Sequence, residues 1–452
     1  MNHIQKNFKN FGIDSLILLL NNNPQITEEA RAMLCALYSR SPDSILNHLE
    51  VVTKKGPEKF MASYYVGYGH QSIGDNANAT LFIENISMLA AKALQDNPLY
   101  AGQEVSTRYV DFSKQHFLDP VGTPESAEIQ ENWRRFYLSA LEKTITHVKL
   151  LFPVKAVENP KVWEKAVKAR AFDILRGFLP AGSVTSIAYH MNLRQIADHM
   201  RTLRHNPLHE VRELAEVLEK VVSEGFPSSF GHVRYEKTEE FLETAFVKYY
   251  HHDVTCPRTP LLVHDGVDHN ALSRFSDVLS QRPPKTELPN FVNVTGSLAF
   301  EFQIDFASFR DLQRHRSLYQ AMPLLTADLG FEEWYMNALP ADVQQEAKEL
   351  LEKQVKKISA LTPDVNLRQY YLPMGLRVSH RLSGVLGKLL YVSELRANKT
   401  VHPTLSKIAY AMGKMLEERF SHLGLAVHLV EDYDNFDVKR GTQDIEKRED
   451  TL

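Results

Sequence analysis

Two cysteines in 452 residues, Cys35 and Cys256, are too few for a disulfide framework or a thiolate metal cage, and so few fit a reducing compartment. Neither lies in a nucleophile motif. An excess of one charge sign is also lacking. The 52 basic and 56 acidic residues leave a formal net charge of -4, with no global pull toward nucleic acid or an anionic membrane. Any anion site must therefore be local. No uninterrupted apolar stretch reaches membrane-spanning length. The opening "MNHIQKNFKNFGIDSLILLLNNNP" sets Lys6 and Lys9 ahead of Leu16 to Leu20. That run is too short for a secretory core, and asparagines end it without a small-residue cleavage site. A phosphate-cradling fingerprint is missing too, because "GYGHQS" lacks the third glycine and no strand-to-helix turn is evident around it. The expectation is a cytoplasmic protein without a membrane partner.

What is present is an ordinary globular composition, 43% hydrophobic and 24% charged, long enough for two or three domains. "HEVRELAEVLEKVVSEGFP" places Val211, Leu214, Ala215, Leu218, Val221 and Val222 on one face and stops at Gly225 and Pro227, which predicts an amphipathic helix. "TLFIENI" and "LAFEFQIDF" alternate like strands, each ahead of a helix-compatible stretch. Strands beside helices without regular alternation predict an α+β fold.

The chain also repeats itself. "LFIENISMLAAKALQDNP" aligns with "FEFQIDFASFRDLQRHR" at an offset of 218, bringing Leu94-Gln95 onto Leu312-Gln313. "RGFLPAG" aligns with "RQYYLPMG" at an offset of 193, matching Pro180 to Pro373, and "RTLRHNP" with "SELRANK" matches Arg204 to Arg396. Three matches in one order predict two related halves, each a small antiparallel sheet with flanking helices, paired as a pseudo-dimer. The boundaries are 1–245, 246–430 and a charged tail, 431–452.

Chemistry sits beside these landmarks. "GQEVSTRYVDF" offers Glu104, Ser106 and Arg108 at alternating positions, so a carboxylate, a hydroxyl and a guanidinium can converge on one polar ligand. "RDLQRHRS" packs Arg310, Arg314, His315 and Arg316 together, and like charges four apart on a helix repel by a few tenths of a kcal/mol. A wet surface tolerates that, and a bound anion offsets it. Either stretch alone reads as a solvated face or a salt-bridge partner.

Together, in a repeated frame, they resemble the flavin-dependent thymidylate synthases, whose signature is an Arg-His-Arg triplet closing a helix followed by a Glu-x-Ser-x-Arg-Tyr loop. The first half is similar at "GHQS" (His70, Ser72), at "QEVSTRY" (Glu104, Ser106, Arg108, Tyr109) and at Arg194 and Arg204, but has Asp96, Asn97 and Pro98 in place of the triplet. The second half keeps Arg314, His315 and Arg316 and has lost the loop. Pro289 stands near where the flavin-contacting histidine would fall, and Gly387 opposite Arg194. In that family the triplet of one subunit faces the loop of another, so the resemblance implies one composite site between the halves and a decayed opposite site.

The resemblance also implies a reaction: methylation of dUMP by methylene-tetrahydrofolate, with FAD reduced by NADPH supplying the hydride. It implies cofactor contacts from His70, Ser72, Glu104, Arg314, His315 and Arg316, the last three as cations beside an anionic reduced flavin. Substrate contacts would come from Glu104, Ser106, Arg108, Asp311 and Arg314, with Arg314, Ser106 and Lys220 in catalytic places. Asp311 is the nearest match to a glutamine usual in the triplet helix. Lys220 stands where the family places a ring-activating arginine, and Arg212 is the other candidate. A lysine there loses the bidentate fork, a change worth on the order of 10²- to 10³-fold in rate. A fused pair implies a homodimer. Two other readings stay open, a non-catalytic flavin- or nucleotide-binding relative and a nucleic-acid binder using Arg310, Arg314 and Arg316, although scattered aromatics without a basic stripe argue against the last. His251, His252 and Cys256 have no second ligand cluster, and His205 and His209 flank a proline, so no metal is expected.

Overall fold

The computed structural model describes residues 3–10, 13–20, 26–107, 110, 112–431 and 436–439. Arg108, Tyr109 and most of the charged tail lie outside them. The fold mixes α and β, with small sheets among many helices. Contacts divide it into one unit of Met1–Phe82, Leu99–Gly102 and Ala188–Val247, and a second of Ile83–Pro98, Gln103–Ile187 and Lys248–Leu452.

In the first unit, the antiparallel strands His3–Asn10 and Ile13–Leu20 pair from His3 opposite Leu20 to Asn10 opposite Ile13. Helix Glu28–Tyr38 starts where the Thr27 side chain accepts from the Ala30 amide, and it packs Ala30, Met33 and Leu34 against Leu49 and Val52. The expected amphipathic helix runs His209–Gly225 and buries Val211, Ala215, Leu218 and Val222, while Val221 is left 47% exposed.

The second unit is built on aromatic packing. Strands Leu261–Asp265, Ser297–Asp305, Arg377–Val385 and Tyr319–Gln320 form a four-stranded sheet in that order. Arg377 pairs with Asp305 and Val385 with Ser297, so Phe300, Phe302 and Ile304 alternate into the core. Helix Phe306–Leu312 follows its strand without a loop, because Asp305 accepts from the Ser308 amide as N-cap and the Phe306 amide donates to the Leu376 carbonyl at 3.1 Å. Helix Met88–Gln95 begins in the same way, with Ser87 as N-cap and the Met88 amide on the Ser183 carbonyl at 3.1 Å. The two helix starts are 218 positions apart. Along the chain as a whole, strand Val184–Asn192 with helix Leu193–Leu203, which runs into the first unit, and strand Arg377–Val385 with helix Leu386–Arg396 have bounds that are all 193 apart.

Where "LPAG" meets "LPMG", Pro180 bridges Pro373 antiparallel. The hydrogen bonds are reciprocal: Ala181 N to Leu372 O and Met374 N to Leu179 O at 2.9 Å each, Gly182 N to Tyr370 O at 2.9 Å and Gly375 N to Gly177 O at 2.7 Å. Prolines suit the crossing point, where no ladder N–H is required. Glycines suit the flanks, because a Cβ on Gly182 would lie 2.5 Å from the Tyr370 carbonyl, and one on Gly375 would lie 2.5 Å from the Phe331 ring and 2.8 Å from the Gly177 carbonyl. Gly375→Ala should therefore destabilise the chain by about 1–3 kcal/mol through overpacking. A urea titration would show this as a lower midpoint at unchanged slope, and a wild-type midpoint would contradict the close approach.

Candidate functional site

Strand Ala101–Glu104 ends on Glu104, whose side chain is only 3% exposed. A carboxylate that dry needs partners. Its Oε1 accepts from Arg310 Nη2 at 2.5 Å, and its Oε2 accepts from Lys92 Nζ at 2.8 Å and from Gln95 Nε2 at 3.0 Å. Lys92 also donates to Gln95 Oε1 at 2.7 Å, and Gln313 Nε2 donates to the Lys92 carbonyl at 3.0 Å. Burial alone would raise the carboxyl's pKa, but Arg310 and Lys92 outweigh it and hold Glu104 well below the ordinary carboxylate range. "QEVST" and "RDLQR" thus meet directly, although Glu104 and Arg310 are 206 positions apart.

Next to this ion pair opens a cavity of about 770 Å³, within the size range of small-molecule sites. Glu104, Ser106 and Thr107 line it from one stretch, Arg310, Asp311 and Arg314 from the other. Arg176, Lys285 and Arg396 join them, so five cationic side chains face two carboxylates. Asp311 lies 3.6 Å from Arg176 and 3.7 Å from Arg314, at ion-pair rather than hydrogen-bond distance. Burial opposes its ionisation, yet Arg176, Arg314 and Arg396 bring its pKa down to about 2. Arg176 Nε and Nη2 and Arg310 Nε are buried without a hydrogen-bond partner among the described residues. Those atoms are closed off, but the cationic wall to which Arg176 and Arg310 belong suits the oxygens of phosphate or pyrophosphate.

The triplet is not a block of three cations. Helix Phe306–Leu312 ends before it, with Gln313 as C-cap, and the three side chains diverge. Arg314, with 53% of its side chain exposed, faces the large cavity, while Arg316 lines a separate one of about 180 Å³ with Gln95, Asp96, Asn97 and Gln320. His315 Nε2 lies 2.6 Å from Arg396 Nε, a donor in every state, so that nitrogen can only accept. Burial, with Arg396 alongside, takes its pKa down to about 3, so the ring is neutral at physiological pH. Asp96 stands where the first half lost its triplet, and burial pushes its carboxyl up to about 7.

Of the other expected positions, Arg108 lies outside the described residues. His70, Ser72 and Lys220 are exposed in the first unit: His70 precedes the short helix Gln71–Asn76, Ser72 lies within it, and Lys220 is on helix His209–Gly225. Arg212, also there, donates to the Asn206 and Pro207 carbonyls at 2.8 and 3.1 Å. Lys92, Arg176, Lys285 and Arg396 were not singled out as site residues from sequence. Arg176 and Arg396 belong to the aligned landmarks, and Lys92 precedes Arg310 by the repeat offset of 218, so each carried a signal. Among the described residues, no three His, Cys, Asp or Glu groups converge as a metal site. No helix among them is long and apolar enough to cross a membrane.

A model of the family described as thymidylate synthase complementing protein matches residues 18–228. A UPF0159 protein of Chlamydia muridarum is 25% identical, over 89% of each chain. UPF0159 proteins of Chlamydia pneumoniae and Thermoplasma acidophilum are 22% and 23% identical, over 85% and 84% of this chain and 82% and 91% of their own. A crystal structure of thymidylate synthase X from Helicobacter pylori with FAD and dUMP, 17% identical, covers 51% of this chain and 100% of that one at a TM-score of 0.27.

Two outcomes follow from the charges. Glu104→Gln would leave Lys92 and Arg310 buried without their counter-charge, and chemical denaturation should record a loss of about 3–5 kcal/mol; a loss under 1 kcal/mol would contradict the clamp. Asp311, ionised far below its unfolded pKa of about 3.9, contributes stability that is present above that pH and is lost as pH falls toward 2. Asp311→Asn should flatten that part of the acid-unfolding curve.

Proposed function

We propose that this chain is a thymidylate synthase-like flavoprotein, a reading supported by the match of residues 18–228 to the model of the thymidylate synthase complementing protein family. Its one composite site would be built where the Glu104–Thr107 stretch meets the Arg310–Arg314 stretch. The observation that carries the reading is the Glu104–Arg310 ion pair at the wall of a cationic cavity lined by both stretches. The reaction proposed is methylation of dUMP with methylene-tetrahydrofolate. FAD, when bound, would supply the hydride. The spacing of the elements and the reciprocal bonds at Pro180 and Pro373 support descent from two fused copies, with boundaries near 245 and 430.

The cavity fits an anionic cofactor or nucleotide. Arg176, Arg310 and Arg396 would take phosphate oxygens; Arg310 is held by Glu104 and Arg396 by His315 and the Asp311 carbonyl, so these two would need little reorganisation. Arg314, exposed and paired only loosely with Asp311, is the cation able to turn onto a ligand. Ser106 would contribute its hydroxyl, and Arg108 a further guanidinium. Glu104 is better assigned to holding Arg310 than to accepting from ribose or uracil, since both of its oxygens are engaged within the protein. His315 would act as a neutral hydrogen-bonding ring rather than as a cation.

A second reading, binding without turnover, is favoured by one observation: Arg212 is committed to two backbone carbonyls, which leaves Lys220 as the remaining candidate for activating the uracil ring. One pair of experiments separates the two. The purified protein should bind FAD, seen in its absorbance spectrum, and should rescue a thymidine-requiring host. Arg314→Ala and Arg108→Ala, one from each stretch, should each abolish rescue. FAD binding without rescue selects the second reading, and a protein that cannot be loaded with FAD contradicts both.

A further inference from the structure

Lys92 is absent from the cavity wall yet sits directly behind it, fully buried. Its ammonium and the Arg310 guanidinium share the single carboxylate of Glu104. Two cations against one anion leave the cluster with one net positive charge, in surroundings too dry for water to screen it. Of the two cations only Arg310 reaches the cavity. With Lys92 neutral, Glu104 and Arg310 would close into a balanced pair and the field at the wall would fall.

We propose that Lys92 is a positioning residue for anion binding: by sharing Glu104 it keeps Arg310 from being fully neutralised, so the cavity's affinity for a pyrophosphate depends on the Lys92 ammonium. This rests on reading the cavity as a phosphate site. The charged groups acting on Lys92 are Glu104 from the strand end, Arg310 from helix Phe306–Leu312 and Arg314 just beyond it. Gln95, on its own helix, accepts a hydrogen bond from it. Burial lowers its pKa, Glu104 opposes, and the balance stands at about 8. Below that pH the ammonium is present and attracts an anion; above it the attraction is lost. An arriving anion favours the protonated form, so binding near this pH takes up a proton.

FAD is the probe, because its pyrophosphate diester keeps its charge across the range, and binding is read as quenching of flavin fluorescence by the full-length protein. Wild-type affinity should fall about tenfold between pH 7 and about pH 9.5, as expected for a one-unit pKa shift on binding. Lys92→Met should bind about tenfold more weakly at pH 7 and lack that fall. A variant with wild-type affinity and the wild-type slope would overturn the proposal. Should Lys92→Met fail to fold, the wild-type profile decides alone: a flat one overturns it. FAD binding that ignores pH removes only the role of Lys92, whereas no FAD binding at any pH removes the proposed function as well.

Discussion

One carboxylate held between two cations fixes the arrangement of the second unit. Glu104 ends a strand, Lys92 comes from the helix before that strand, and Arg310 comes from a helix more than two hundred residues later. Each would be costly to bury alone. Because all three are buried, strand and helices must arrive together, and the stretch after Glu104 is delivered to the cavity wall. The clamp does not by itself raise stability, since a well-packed apolar trio could do as well. What it supplies is a fixed register between two distant stretches and a positive field at their junction.

The same economy of charge explains the uneven triplet. Burial, with Arg396 alongside, leaves the His315 imidazole uncharged, and the donor that Arg396 directs at it forces that ring nitrogen to accept. Asp311 stands among Arg176, Arg314 and Arg396 and is ionised despite its surroundings. The arginines are thereby spaced by an acceptor and a carboxylate, so several of them can line one cavity without mutual repulsion driving them apart. Arg316 faces a smaller cavity beside Asp96, the residue standing where the first half has no triplet.

Much of this was legible in the sequence, for physical reasons. The strand-to-helix junctions at Ser87 and Asp305 fall where alternation gives way to helix-compatible sequence, and the repeated Leu-Pro-x-Gly motif marked equivalent places in the two halves; that side chains cap the helices and that the motifs cross was added by the structure. The amphipathic period of residues 209–225 fixed that helix, although the outermost valine of its stripe, Val221, stayed exposed. Protonation states and partners were not legible. That His315 is neutral depends on its burial and on Arg396, 81 positions away, and that Glu104 is engaged depends on Lys92, an unremarkable lysine in an alanine-rich helix. Spacing shows which groups can converge, but not which of them neutralise one another.

Hydrogen exchange read by mass spectrometry, with and without FAD, tests the composite site most directly. A single site made from both stretches requires that FAD slow exchange together in peptides covering 103–107 and 307–314, at the same ligand concentration. Protection confined to one of those stretches, or absent from both while FAD is bound, would contradict it.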